Sequence, residues 1–544
     1  MSAVGLWTVG LALAYTALLI VARPLAARRS TGGGGFFEGG RAFSPWTVAF
    51  CITALFSGSS FIAILELSYR TGISAVWYGV AETVQVLLIA VLLVKPLRRK
   101  LVVTVTGIIG DRFGRGAKAI GSLITGLTFP MYSVATTIAF ASALHVVTGL
   151  ALELSVAATA VVLLAFLWAG GMRSVGFSQT MNVVMIALMF VAGLAAVFAV
   201  PDVGGRLRAF HGLRPEMFDL SYAGTSLIVA WFATFIVNVP LAQAAFQMSL
   251  SARTPEDGQK GLFLAAVLGA PLIFTGVLLG VVASAVLPDA GRAFVAIPEV
   301  VTQVLPPWAA GVFFVGLWAC ALGWAGPCQF SGATSLGRDL GSALRPQASE
   351  EQLVRWTRWA LVGLTVVMVL FALLRAEAAA WWNVMAWTLR NGATFAPVMA
   401  AFFWPLAGRR AAIAALLGGF TAGLSWYTLS GFDPAHFFLG IHPVWVGMVA
   451  NIGLLVAVTL VTRRWRVTSD ARARHCAVGA LAGVAVLVLA AVPLWPWLTR
   501  QGLVGLAVFL AVTSVAAAAV LAVQAAEPRE SGGTTEAEQA AAVV

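Results

Sequence analysis

At 544 residues, 60% hydrophobic and 10% charged, with a mean hydropathy of +0.92, this chain cannot be a soluble globule. Its net charge of +12 raises nucleic acid as a partner. The Lys and Arg residues, however, sit in short clusters between long apolar runs, so membrane lipids are expected partners and nucleic acid is not.

Fifteen apolar runs of 18 to 31 residues are predicted as membrane-crossing helices, since ~20 residues cross ~30 Å of hydrocarbon. They lie roughly at 4–22, 44–69, 73–94, 119–149, 153–172, 177–199, 222–250, 261–287, 307–337, 357–374, 379–405, 411–430, 442–461, 476–497 and 501–525. The first is followed by Arg23, Arg28 and Arg29 with no small-residue cleavage site, so it reads as a retained helix. A basic, glycine-rich loop then enters the second run through FFEGGRAFSPW, and Ser57, Gly58, Ser59 and Ser60 interrupt that run near its centre. Small polar residues at this depth let a helix unwind and offer carbonyls to a ligand, or let two helices pack closely; both readings stand. Glu66 lies near the end of the second run and Glu82 inside the third. Further along come basic clusters at Lys95–Lys100 and Arg463–Arg466, an exposed loop at 200–221, and a polar tail after 526 expected to be disordered. Cys51, Cys320, Cys328 and Cys476 have no paired spacing, so neither a disulfide framework nor a metal site is expected.

With the N-terminus outside, most of the 34 Lys and Arg fall in the loops after odd-numbered runs and in the tail. The positive-inside rule then predicts an integral plasma (inner) membrane protein with a cytoplasmic C-terminus. Arg390 is left over, near the middle of 379–405. An unpaired charge there costs at least ~2.5–3.5 kcal/mol, so it should meet a partner or a cavity. It either locks two helices through Glu82 or Glu66, or it binds an anionic solute group or stands in for a bound cation.

The order of several motifs resembles the sodium:solute symporter family, which includes proline, pantothenate and sugar symporters. FFEGGRAFSPW is similar to the loop before that family's first core helix. Val103–Thr106 through Asp111–Gly114, GGMRSVGFSQTMN at 170–182, Asn238–Pro240 with Gln243, SLGRDL at 335–340 and TFAPVMAAFFWPLAGRRAAIAALLGG at 394–419 resemble later family segments. The resemblance implies an all-α polytopic membrane fold with a LeuT-like core of two inverted five-helix repeats. The first helix of each repeat would be broken, here at Ser57–Ser60 and Asn238–Pro240. The chain then divides into an extra helix and loop (1–43), a transport core (44–405), accessory helices (406–525) and a tail (526–544).

In that family sodium sits between the first and eighth core helices. The resemblance places the matching positions at Thr53 and Phe56, and at Cys320, Gly323 and Trp324. Residues 311–330 contain no Ser or Thr, so the expected hydroxyl ligands are missing. Leu55 stands where proline symporters have an aspartate, and Gln179 where the fifth core helix has one. Sodium coupling is therefore doubtful, and the alternatives are a proton-coupled transporter, a facilitator or a transporter-like sensor; no other cofactor is expected. The implied solute pocket involves Ser57, Ser60, Tyr132, Trp231, Arg390 and Glu82. Trp381, Trp382 and Trp387 read as interface or packing.

The expected function is secondary transport of a small organic solute by alternating access, with Arg390 favouring a carboxylate-bearing or anionic one. The alternative is a transporter-fold sensor or regulatory subunit acting through a separate protein partner. No clustered nucleophile or acid–base set points to an enzyme.

Overall fold

The computed structural model describes residues 2–27, 43–96, 104–168, 172–375 and 379–526. The loop at 36–42, Arg98–Lys100, Gly170–Gly171 and the tail from 527 lie outside the described residues.

Helix α1 (Ala3–Ala27) precedes α2 (Pro45–Phe56). Ser44 caps α2, its hydroxyl accepting from the Thr47 N–H at 3.1 Å, and Pro45 takes the first turn, where its missing N–H costs nothing. A π turn, Ser57–Phe61, leads directly into α3 (Ile62–Thr71). Then follow α4 (Val76–Leu88), α5 (Val105–Phe113), α6 (Arg115–Thr148), α7 (Leu152–Trp168), α8 (Met172–Ala199) and α9 (Val203–Leu213). Helix α10 (Thr225–Asn238) passes through a 3-10 turn at Val239–Leu241 into α11 (Gln243–Leu250), with a bend of 46°. The chain continues through α12 (Pro255–Val286), α13 (Ala293–Val304), α14 (Pro307–Thr334), α15 (Glu350–Leu374) and α16 (Ala379–Phe403). Four helices end it: α17 (Arg409–Leu429), α18 (Pro443–Thr462), α19 (Ala471–Arg500) and α20 (Val504–Ala522). Short strands β1 (Trp465–Val467) and β2 (Val523–Ala525) pair antiparallel and tie the ends of α18 and α20.

Among the described residues, eleven helices are long and apolar enough to cross a bilayer, or twelve with the bent α10–α11 pair. That measure does not establish the fifteen crossings expected. Helix α2 is short because the π turn ends it, and α7 has only 17 residues. Helices α6 and α14 pack on each other and are buried over 89% of their most apolar windows, so they form the spine of the bundle. Helices α19 and α20 are buried over only 6% and 11% and lie at its periphery.

The two expected breaks take different forms. The second is a true bend at Pro240, which has no N–H to continue the ladder. The first stays helical and widens into a π turn, a form common at functional positions. Close packing governs it: a Cβ on Gly58 would lie 2.2 Å from Trp324 Cβ, so only glycine lets α14 approach. Proline also shapes the rest of the core. Pro397 cannot donate to the Ala393 carbonyl, and the Asn451 amide donates there instead at 2.7 Å. The same side chain donates to Ala415 O at 2.9 Å and accepts from Ala396 N at 2.7 Å, fastening α16, α17 and α18 together.

Candidate functional site

The end of α2, the second break and the middle of α16 meet at one cavity of about 30 Å³. Its polar wall consists of Gln85 from α4, Tyr132 from α6, Asn238 and Gln243 at the second break, and Arg390 from α16. Arg390 is 4% exposed. Its guanidinium donates to Asn238 Oδ1 and lies 5.3 Å from the Phe129 ring centroid and 5.4 Å from that of Tyr132. Those aromatic faces stabilise a desolvated cation.

Among the described residues no carboxylate lies within ion-pair distance of Arg390, so the Arg–Glu lock is not formed. Glu66 accepts from the Ala380 N–H at 2.7 Å, at the first turn of α16, and pairs with Arg70 at 3.6 Å. That helix start attracts an anion. Arg390 is ten residues further along α16, about 15 Å away at 1.5 Å per residue. Glu82 lines a different cavity.

Several buried polar atoms around Arg390 have no hydrogen-bond partner: its own Nε, both amide atoms of Gln85, Gln243 Nε2 and Tyr132 Oη. Buried polar groups are almost always satisfied, so such a cluster on one cavity wall marks a place for a ligand. Trp324 and Trp387 complete the wall, with the Tyr132 ring 5.8 Å from the first and 5.5 Å from the second. The Trp324 indole is fixed by donating to Tyr132 O at 2.7 Å. A cavity this small holds water rather than an organic solute, so a solute requires the helices to part.

The remaining expected pocket residues lie elsewhere. Ser57, Ser60 and Glu82 line a second cavity of about 40 Å³ on the other side of the broken helix, against α12. Phe56 lines both cavities. Trp231 lines a third, outside the first two, with Glu66, Arg70 and Trp381. Gln85 and Phe129 have no counterpart among the expected residues, and Trp387 belongs to the cavity wall rather than to packing alone. The available signal for Gln85 was an amide at mid-span, three residues after Glu82 and so on a neighbouring face of α4.

The seam between α2 and α14, where the family resemblance located sodium, is closed. A Cβ on Gly323 would sit 2.6 Å from the Ala54 carbonyl oxygen, so the two backbones are in contact. Pro327 deprives Gly323 O of its helical donor, and Gln179 Nε2 supplies one at 2.7 Å. Gln179 Oε1 accepts from Asn182 at 3.0 Å, and Asn182 Oδ1 accepts from the Tyr15 hydroxyl at 2.7 Å, so the chain of contacts runs back to α1. Ser57 Oγ donates to Ala54 O at 3.0 Å and lies 3.9 Å from Cys320 Sγ. A hard cation needs several oxygen ligands. Here the Gln179 amide donates to the freed Gly323 carbonyl, and residues 311–330 bring no hydroxyl to the seam.

The sequence profile of the sodium:solute symporter family matches residues 36–250 and 258–419. The sodium/pantothenate symporter of Escherichia coli (strain K12) is 24% identical over 436 residues, covering 77% of this chain and 88% of that protein. The sodium-coupled monocarboxylate transporter 2 of Danio rerio is 28% identical over 263 residues, covering 45% and 41%. Among solved structures, a substrate-bound, outward-open Na+-coupled sialic acid symporter superposes with a TM-score of 0.69 at 15% identity, covering 84% of this chain and 98% of that one.

Proposed function

The chain belongs to the sodium:solute symporter family, and from that membership we propose that it carries a small carboxylate-bearing solute by alternating access, with Arg390 receiving the carboxylate. It is an integral membrane protein with the LeuT-like fold and, by family, a solute transporter. The observation that supports a carboxylate is the buried Arg390, whose Nε is unpartnered in a cavity walled by unsatisfied amides. An arginine fork matches a carboxylate in two parallel hydrogen bonds, and a low-dielectric wall strengthens them. The names of two relatives agree, one being a pantothenate symporter and one a monocarboxylate transporter.

The amide-filled seam supports transport that uses no sodium ion between α2 and α14. The basic clusters support a cytoplasmic C-terminus. A thermal-shift screen of small carboxylates and their neutral amide analogues, followed by uptake into proteoliposomes, tests the solute class. Carboxylates should stabilise the protein and enter the vesicles while the amides do neither. Preference for a neutral solute overturns the reading, and binding without flux would point to a sensor. Uptake should persist when sodium is replaced by potassium on both sides.

A further inference from the structure

The cavity on the far side of the broken helix has its own chemistry. Glu82, 2% exposed, and Thr53, 5% exposed, face it with Ser57 and Ser60. The Thr53 hydroxyl has no hydrogen-bond partner. Thr83 also lines the space, its hydroxyl donating to Gly79 O at 2.8 Å. The opposite wall, from α12, offers only Ala265, Ala266, Gly269, Leu272 and Ile273. Resting on the transport reading above, we propose that Glu82 is the proton-carrying group of this transporter, with the Thr53 hydroxyl as the hydrogen-bond partner of its protonated or ionised form.

The one-sided lining favours a proton over a metal cation. The oxygen donors come from α2, the π turn and α4, while the α12 side is apolar. A sodium ion needs oxygens around it. A proton needs one carboxylate oxygen and one neighbour. A bare carboxylate crossing the hydrocarbon core is costly, and a bound proton cancels that cost. The step is simple acid–base exchange. On one side an O–H bond of a hydronium ion breaks as one forms on the Glu82 carboxylate; on the other the Glu82 O–H bond breaks as one forms on a water, regenerating hydronium, with no change of oxidation state.

Among the described residues the ionisable groups clustered with Glu82 are Tyr78 and, through Tyr78, Tyr132 and Glu66. On α4, Tyr78 lies one turn before it and interacts with it electrostatically. Among the described residues lining the cavity, neither α2 with the π turn nor α12 brings a charged side chain. Arg390 belongs to the other cavity. The two are linked mechanically: Phe56 forms part of both walls, and α4 gives Glu82 to one and Gln85 to the other. A change at Glu82 therefore bears on Phe56, at the end of α2, which borders the solute centre.

Solid-supported-membrane electrophysiology on the reconstituted full chain, without any solute, tests this. A pH jump should evoke a transient charge displacement in the wild type that Glu82→Gln loses and Glu82→Asp keeps with a shifted midpoint. Thr53→Val should shift that midpoint too, and it carries the test with Glu82→Asp if Glu82→Gln does not reconstitute. A sodium jump should evoke none. The proposal is overturned if Glu82→Gln retains the full pH-jump displacement, if neither Thr53→Val nor Glu82→Asp moves the midpoint, or if a sodium jump evokes a displacement that Glu82 substitution removes. Because no solute is present, the outcome is independent of whether Arg390 binds a carboxylate.

Discussion

Replacing Arg390 with glutamine separates a binding role from a structural one. In the empty protein the guanidinium donates to Asn238 and faces the Phe129 and Tyr132 rings. Those contacts are worth roughly 1–2 kcal/mol each when desolvated, while taking the charge out of water costs several kcal/mol. The terms nearly cancel, so the Arg390→Gln protein should melt within a few degrees of wild type. With solute bound the balance differs. Truncating one side of a buried charge pair costs about 2–5 kcal/mol, and burial limits screening by salt. A loss of about 3 kcal/mol is roughly 150-fold in Kd. Arg390→Lys keeps the charge and loses the planar fork, so it should fall between. The assay is solute-dependent thermal shift or filter binding, using each carboxylate and its amide analogue. The carboxylate should lose affinity and the amide should not. Equal losses for both, or unchanged carboxylate affinity, would refute the assignment. A collapse of melting temperature in the empty protein would make Arg390 a structural residue.

The closed seam makes separate predictions. Gln179→Leu leaves Gly323 O without its donor and should cost about 1–3 kcal/mol, seen as a lower melting temperature; an unchanged value would mean that another group satisfies that carbonyl. Gly323→Ala should destabilise by about 1–3 kcal/mol, because its Cβ would press on Ala54 O, and a neutral result would show that α2 and α14 separate easily. Asn451→Ala removes three hydrogen bonds between α16, α17 and α18. Each such bond contributes about 1 kcal/mol, so a thermal scan should show one of the larger losses in the accessory region. At one end of the spine Asp339 accepts from Thr106 at 2.5 Å and lies 3.8 Å from Lys118. Asp339→Asn should weaken that clasp by roughly 1–3 kcal/mol and speed hydrogen exchange in α5, a change that mass spectrometry would detect or exclude.

Much of the architecture was legible because its signals are local. Apolar run length implies crossings, proline and small residues imply breaks, and motif order implies the family. The charge at Arg390 was legible too, since any charge at mid-span calls for an explanation. Its partner was not. Glu66 and Glu82 were the only carboxylates in view along neighbouring spans, yet one is held at the start of α16 and the other faces α12. Which face of a helix meets which neighbour depends on packing angles that no spacing in the chain specifies.

The sequence alone determined the missing hydroxyls of residues 311–330 and the proline at 327, because composition needs no coordinates. Only the tertiary structure decided what those absences mean. Pro327 frees a carbonyl, and whether a cation or an amide takes it depends on which side chain from another helix lies within 3 Å; here that side chain is Gln179. Residues 36–64 likewise announced a break. Packing against Trp324 held it as a π turn that faces the Glu82 cavity, and Phe56 just before it is shared with the cavity around Arg390.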